Sequence, residues 1–137
     1  MKYLILFFVV LLLQACPEKP DVPFDSFIKI NNEANKDLVY CLYQRSIGDT
    51  LLSEGQPFPS DFSSRFVSAN SLHIEKGHFI YGLRSKKNKY YLVFLFSKDT
   101  VLKYKWPNIR DNYRIEKKFC IVADSFKGKD SVTLTYP

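Results

Sequence analysis

Short apolar runs separated by polar turn residues recur along most of this chain, and their spacing predicts strands. Runs rich in β-branched and aromatic residues favour extended structure, and clusters of Gly, Pro, Asn and Asp end them. From residue 26 onward the pattern predicts strands over residues 27–30, 38–43, 62–67, 71–75, 78–83, 90–96, 113–122 and 131–136. Such regular short strands predict an all-β fold, a single antiparallel β-sandwich of about seven to eight strands.

Three segments refine this architecture. Residues 90–96 are apolar at every position, which predicts a central strand buried on both faces. The tetrapeptide Glu75-Lys76-Gly77-His78 predicts a tight hairpin between the strands at 71–75 and 78–83. Residues 106–111, with Pro107 at an early position, predict one short helical turn, and residues 123–128 predict a turn or a second short helix.

Aromatic residues are abundant in or beside the predicted strands. Interleaved with Lys, they could form a face that stacks on carbohydrate or binds peptide, but such residues more often fill the core of a sandwich. We predict that Phe94, Phe96 and Trp106 lie in the core. Tyr90, Tyr104 and the lysine-rich segment 86–89 are predicted to lie at the surface.

The N-terminus has the pattern of an export signal. Lys2 precedes an apolar run over residues 4–13, which is about half the ~20 residues that a spanning helix needs. Leu13-Gln14-Ala15-Cys16 resembles the lipobox of bacterial lipoproteins, in which the Cys thiol carries lipid and becomes the mature N-terminus. We therefore predict a signal peptide over 1–15, lipidation of Cys16, a Pro-rich tether over 16–25 and a sandwich domain over 26–137. An uncleaved signal anchor is the alternative.

The charge balance is basic. The chain has 20 Lys and Arg against 14 Asp and Glu, a formal net charge of +6. A basic balance often indicates nucleic acid, but an exported protein rarely meets it, and we expect no nucleic-acid partner. The N-terminal lipid would bind the membrane, and a protein, a glycan or an anionic surface would be the further partner. Solvated surface lysines are the alternative explanation of the charge.

Two cysteines remain if Cys16 carries lipid. Cys41 and Cys120 would form an even pair in an oxidising compartment, and both lie in apolar, strand-like runs. A disulfide bond between them and two separate buried thiols are both compatible with the sequence.

His73, Glu75 and His78 are the best candidates for metal ligands. In the predicted hairpin Glu75 would oppose His78, and all three side chains would face one side. Two imidazoles and a carboxylate on one face could bind zinc or another transition metal. The polar outer face of an amphipathic hairpin would have the same residues, and since no fourth ligand is specified, we assign no metal site.

The triplets Asp49-Thr50-Leu51, Asp99-Thr100-Val101 and Asp130-Ser131-Val132 share a second pattern. An Asp, a Ser or Thr and an aliphatic residue resemble the O-glycosylation acceptor of exported Bacteroides-type proteins, which makes Thr50, Thr100 and Ser131 candidate glycan sites. Ordinary turn chemistry at strand ends uses the same residues.

The motifs of common catalytic sites are missing. The sequence has no Gly-x-Ser-x-Gly elbow, no Gly-rich phosphate loop and no Cys-x-x-Cys pair, and its carboxylates are scattered singly. We therefore expect no enzymatic activity and no cofactor.

Several segments together resemble one group of proteins. They are Phe94-Leu-Phe-Ser-Lys-Asp-Thr100, Trp106-Pro-Asn-Ile-Arg110, Tyr113-Arg-Ile and the terminal Val132-Thr-Leu-Thr-Tyr-Pro137. In these segments, and in the order of lipobox, tether, strand and Asn-rich turn, the chain resembles small lipoproteins of Bacteroides-type bacteria. The resemblance implies an exported, lipid-anchored β domain and no particular activity.

These observations predict a lipid-anchored protein of the cell envelope, periplasmic or surface-facing, that acts as a non-catalytic binding or envelope-assembly module. One alternative is an inhibitor or immunity-type protein that occludes an enzyme through the loop over residues 45–59, which presents Phe58 between two prolines. A second alternative is a small metal-dependent enzyme centred on His73 and His78.

Overall fold

A computed structural model describes residues 24–46, 65–85 and 89–137 of the chain. Its seven strands are β1 (Ser26–Asn32), β2 (Leu38–Ser46), β3 (Phe66–Val67), β4 (Ser71–Gly77), β5 (Lys89–Ser97), β6 (Lys117–Ile121) and β7 (Ser131–Tyr136). Three short helices are α1 (Phe79–Arg84), α2 (Lys98–Lys103) and α3 (Trp106–Asp111), and a 3-10 turn spans Ala123–Phe126. The predicted all-β fold is confirmed, with three helices and a 3-10 turn in place of one or two helical turns. None of the helices in these residues is long and apolar enough to cross a membrane.

The strands form two sheets. The three-stranded sheet has the order β4-β1-β7, in which β1 is antiparallel to β4 and parallel to β7. The four-stranded sheet has the order β3-β2-β5-β6 and is antiparallel throughout. The parallel β1–β7 pair is an exception to the predicted antiparallel pairing. Parallel neighbours need a crossover connection, and here all strands of the four-stranded sheet lie between β1 and β7 in sequence.

The fold has three layers with two apolar cores. The main core lies between the sheets, and its buried residues are Ile28, Ile30, Leu38, Tyr40, Val67, Phe79, Leu83, Val93, Leu95, Ile121, Phe126, Val132 and Leu134. The second core lies between the four-stranded sheet and helices α2 and α3, and comprises Val39, Cys41, Tyr90, Leu92, Phe94, Phe96, Val101 and Ile109. Because residues alternate along a strand, β2 and β5 supply side chains to both cores.

Strand β5 is central and buried on both faces, as the sequence predicts. Phe94 and Phe96 are fully buried, and Trp106 is half-buried with its ring 6.2 Å from that of Phe96 in an edge-to-face arrangement. The prediction for Tyr90 is wrong, because this residue is 5 % exposed and packs into the second core. The three-stranded sheet covers one side of the four-stranded sheet and helices α2 and α3 cover the other, so β5 has no solvent-facing side. Tyr104 is half-buried against the second core.

Helix α1 replaces the strand predicted over residues 78–83, so the predicted hairpin is wrong. Phe79 and Leu83 are four residues apart and both enter the main core, which is the spacing of one helical face. The first turn of α1 is capped from the start of β1: the N–H of residue 80 donates to Ser26 Oγ at 3.1 Å, and that of Tyr81 to Asp25 Oδ2 at 2.8 Å. A distant segment therefore satisfies N–H groups that a short helix leaves unpaired.

Candidate functional site

Strand β4 has its polar and apolar residues on unexpected sides. Leu72 and Ile74 point away from the main core and are 54 % and 44 % exposed. His73 and Glu75 alternate with them and point towards the space between the sheets. An antiparallel sheet with one solvated face normally buries its aliphatic residues and exposes its polar ones. Strand β4 reverses this rule, and both of its faces are therefore candidates for a functional site.

On the inner face, His73 and Glu75 meet Tyr40 of β2, and we name these three residues the tyrosine cluster. The Tyr40 hydroxyl lies 2.9 Å from His73 Nε2 and donates to Glu75 Oε2 at 2.5 Å. The distance between His73 Nε2 and Glu75 Oε2 is 3.5 Å. Burial is the largest cause that raises the pKa of Tyr40 well above its usual range, and the hydrogen bond to Glu75 is the second. The phenol therefore stays protonated and donates. The cluster thus joins the two sheets through satisfied polar groups.

The tyrosine cluster also explains why β4 carries inward polar residues. Within the described residues β4 pairs only with β1 and forms one edge of the three-stranded sheet. Inward-pointing charged side chains on an edge strand disfavour pairing with another chain. His73 and Glu75 remain 27 % and 32 % exposed, which allows water to reach them. The arrangement therefore has a structural role that needs no ligand.

His78 does not join His73 and Glu75, contrary to the predicted hairpin geometry. In the observed register Glu75 is opposite Ile28 and His73 is opposite Ile30, both on β1. His78 precedes α1, and its ring lies 5.5 Å from that of Phe24 between centroids, with the two planes tilted by 40°. Among the residues that the structure describes, no group of three or more His, Cys, Asp or Glu side chains could hold a metal ion.

The outer side of the three-stranded sheet forms a second surface, which we name the open face. Strand pairing arranges it in three rows, namely Lys76-Phe27-Ser131, Ile74-Lys29-Thr133 and Leu72-Asn31-Thr135. Helices α2 and α3 pack on the other sheet, and α1 fills one end of the main core. The open face therefore presents two exposed aliphatic side chains beside two lysines, and none of its nine residues is acidic.

Cys41 and Cys120 are free thiols, so the candidate disulfide bond is not formed. Their strands, β2 and β6, lie on opposite sides of β5 in the four-stranded sheet. Two strand spacings amount to about 9.6 Å, whereas bridged Cα atoms lie within about 7 Å. Cys41 is buried, and this burial raises its thiol pKa to about 11, whereas Cys120 is exposed.

The candidate modification sites differ in their surroundings. Cys16 and Thr50 lie outside the described residues, as does Phe58 of the loop in the inhibitor alternative. Thr100 lies within α2 rather than in a turn at a strand end, and Ser131 is the first residue of β7. Both side chains are half-buried.

A cleft of about 370 Å³ lies where the β1–β2 turn meets the start of α2. It is lined by Asn35, Lys36, Asp37, Ala69, Lys98 and Asp99. Both lysines already have acidic partners, since Lys36 Nζ lies 2.8 Å from Glu116 and Lys98 Nζ 3.2 Å from Asp37. The hydrogen bond to Glu116 raises the pKa of Lys36. Because its two lysines and two aspartates balance in charge and both lysines have acidic partners, this cleft is a poor site for a charged ligand.

Comparison with protein-family models, curated proteins and solved structures finds no match to this chain. The resemblance to Bacteroides-type lipoproteins therefore stays a prediction from the sequence. The candidate site has to be judged on its own geometry, and the open face is the described surface with the clearest capacity to bind.

Proposed function

We propose that this protein is a non-catalytic binding module of the bacterial cell envelope, anchored by lipid on Cys16, and that the open face recognises a protein partner. One observation carries the proposal: Leu72 and Ile74 are 54 % and 44 % exposed side by side on the outer side of β4. Single exposed aliphatic residues are common, but a contiguous apolar group rimmed by charge is typical of an interaction site.

The chemistry of the open face favours one kind of partner. Lys29 lies directly opposite Ile74, and Lys76 lies directly opposite Phe27. The best match to this arrangement is a protein surface whose apolar side chains are framed by Asp or Glu. A glycan is a poorer match because it stacks on exposed aromatic rings, and the one aromatic residue of this face, Phe27, is half-buried.

The tyrosine cluster supports a binding role over a catalytic one. Its buried hydroxyl is protonated and hydrogen-bonded to both neighbours, which is the opposite of an activated nucleophile. The N-terminal pattern around Cys16 is the support for a lipid anchor.

Site-specific photocrosslinking in the native host tests the binding role. A photoreactive amino acid at position 72 should yield one discrete protein adduct. The adduct should weaken at high salt and should be lost when Lys29→Glu and Lys76→Glu are combined. The matched control, Lys103→Glu with Lys105→Glu, makes the same charge change at the end of α2 and just before α3, and should keep the adduct. An adduct with a second copy of this chain, or with no protein, or one insensitive to the open-face charges, would contradict the proposal.

Mass spectrometry of the protein purified from the host envelope tests the anchor separately. A mature mass that begins at Cys16 and includes acyl chains is expected. Hexose increments at Thr50, Thr100 or Ser131 would identify the glycan sites. A chain that begins elsewhere with an unmodified Cys16 would contradict the lipid anchor. The binding role of the open face would then be tested in a secreted protein.

A further inference from the structure

Helices α2 and α3 present a surface on the opposite side of the molecule from the open face. Val101 and Ile109 face inward and are buried in the second core. Leu102 points the other way and is 70 % exposed. Together with Lys103, Tyr104, Lys105 and Arg114 it forms what we name the basic helix patch.

Two of the three cations of this patch lie over one aromatic ring. The Arg114 guanidinium carbon lies 4.1 Å from the Tyr104 ring centroid, and Lys103 Nζ lies 5.4 Å from it. Arg114 Nε also donates to Asn108 Oδ1 at 3.0 Å, which fixes the guanidinium against α3. The ring and both cations therefore hold a defined arrangement on a packed layer.

The acidic residues of the same layer do not neutralise the patch. Asp111 pairs with Arg110 at 2.6 Å, and Lys98 pairs with Asp37 from the β1–β2 turn. Asp99 lies in the first turn of α2, next to the paired Lys98 and one helical turn before Lys103. When these pairs are excluded, one anion, Asp99, remains against three cations, namely Lys103, Lys105 and Arg114.

We infer that the basic helix patch docks the domain on an anionic lipid bilayer. Lys103, Lys105 and Arg114 would meet headgroup phosphates, while Leu102 and Tyr104 would enter the interfacial region. Cations combined with an aromatic and an aliphatic side chain are the usual composition of a membrane-surface contact. The patch combines three cations with one exposed aliphatic side chain, so attraction to anionic headgroups would supply most of the binding, which fits a bilayer surface.

The inference rests on the proposed lipid anchor in one respect. Phe24, the first described residue, is eight residues after Cys16, so in an anchored protein it would lie within about 29 Å of the bilayer. At that distance the effective concentration of lipid is high, and a weak contact suffices. Docking through the helices would direct the open face away from the membrane, because the two surfaces lie on opposite outer layers.

Trp106, the only tryptophan in the chain, reports on the contact because it begins α3 and is half-buried. The full lipoprotein would be reconstituted in phosphatidylcholine vesicles with and without phosphatidylglycerol. Lipids that carry a nitroxide at the headgroup should quench Trp106 only in the anionic vesicles. Raising ionic strength from about 0.01 M to about 1 M shortens the Debye length roughly tenfold and should abolish the quenching.

Paired variants decide whether this patch is responsible. Each Lys near an anionic surface strengthens binding about fivefold, so Lys103→Gln with Lys105→Gln should lower the docked-to-free ratio about 25-fold. The control, Lys29→Gln with Lys76→Gln on the open face, removes the same charge and should leave quenching unchanged. Leu102→Ser should weaken quenching without changing its salt dependence.

Three results would overturn the inference: equal quenching in neutral vesicles, equal loss in the control pair, or absent quenching in a protein that floats with the vesicles. An adduct between a photoreactive residue 102 and a host protein would show that the patch binds protein instead. Failure of the protein to float with vesicles at high salt would contradict the lipid anchor rather than the patch.

Discussion

Asn32→Asp should strongly destabilise the described fold, although it is a conservative substitution. Asn32 is fully buried at the end of β1. Its Nδ2 donates to the carbonyl oxygens of Lys36 at 2.8 Å and of Ser68 at 2.9 Å, with that of Val67 at 3.4 Å. Its Oδ1 accepts from the N–H of Ala34 at 3.2 Å. One amide thus holds the β1–β2 turn to the connection between β3 and β4.

The expected loss follows from these contacts. A carboxylate at position 32 removes two donors and places negative charge beside carbonyl oxygens. Each buried polar group left unsatisfied costs about 1–3 kcal/mol, and an unpaired buried charge raises the total to about 3–5 kcal/mol at pH 7. That is a large share of the ~5–15 kcal/mol by which such domains are stable.

The same substitution has a pH signature with a definite sign. Burial among carbonyl oxygens disfavours the charged form, so the pKa of the introduced carboxyl in the folded state lies above its unfolded value of ~3.9. Between these two values the folded state binds more protons, and the free energy of unfolding falls as pH rises. At about pH 4 the protonated carboxyl restores one donor, and the loss should shrink to about 1–2 kcal/mol.

Urea denaturation at several values between about pH 4 and pH 7 measures both quantities by linear extrapolation. Asn35→Asp is the matched control, because Asn35 is exposed in the same turn and should change stability by no more than about 0.5 kcal/mol. A loss at position 32 below about 1 kcal/mol at pH 7, or one that does not vary with pH, would refute the reasoning.

Three further predictions test other contacts. Asp25→Ala should lower the free energy of unfolding by about 1 kcal/mol at neutral pH. Burial raises the folded-state pKa of Asp25, but its hydrogen bonds outweigh burial and lower that pKa below 3.8. Thermal melts should therefore show that the difference between the variant and the parent disappears as pH falls below 3.8 through the folded value. Gly82→Ala should destabilise by about 1–3 kcal/mol, against helix propensity, because its Cβ would overlap the Tyr91 hydroxyl; Tyr91→Phe should recover most of the loss in denaturation curves. A thiol reagent should label Cys120 in the native state and Cys41 only after unfolding, and intact-mass analysis that finds neither labelled would indicate a disulfide bond.

The parts of the fold that sequence reasoning predicts correctly are those with a strong local signal. The uninterrupted apolar run at 90–96 specifies a strand buried on both sides, and Pro107 specifies the start of α3. The run at 78–83 fails because six mostly apolar residues fit a strand and a helix equally well. The decision falls to tertiary contacts, namely the cap from Asp25 and Ser26 and the burial of one helical face. Helix α2 buries a single residue, Val101, so its six residues show no apolar period that would predict a helix.

The candidate site was predictable only in part, for a related reason. Alternation along 71–77 correctly puts His73 and Glu75 on one face and Leu72 and Ile74 on the other. The usual rule would then bury the aliphatic pair. The hydroxyl of Tyr40 reverses this rule, because it lies in the main core and needs polar partners there. Tyr40 is on β2, 33 residues before His73 in the sequence. No local pattern in β4 contains that requirement.

The three-layer arrangement makes the two proposed surfaces testable against each other. The open face and the basic helix patch lie on opposite outer layers, separated by two layer spacings of about 10 Å each. That separation exceeds the Debye length of about 8 Å at physiological ionic strength, so charges on one surface should barely affect the other. Substitution of Lys29 and Lys76 is therefore the control for substitution of Lys103 and Lys105 in the quenching experiment, and the roles are exchanged in the crosslinking experiment. If crosslinking at position 72 and quenching of Trp106 both respond to both pairs, then net charge of the domain accounts for the effects and neither surface is a specific site.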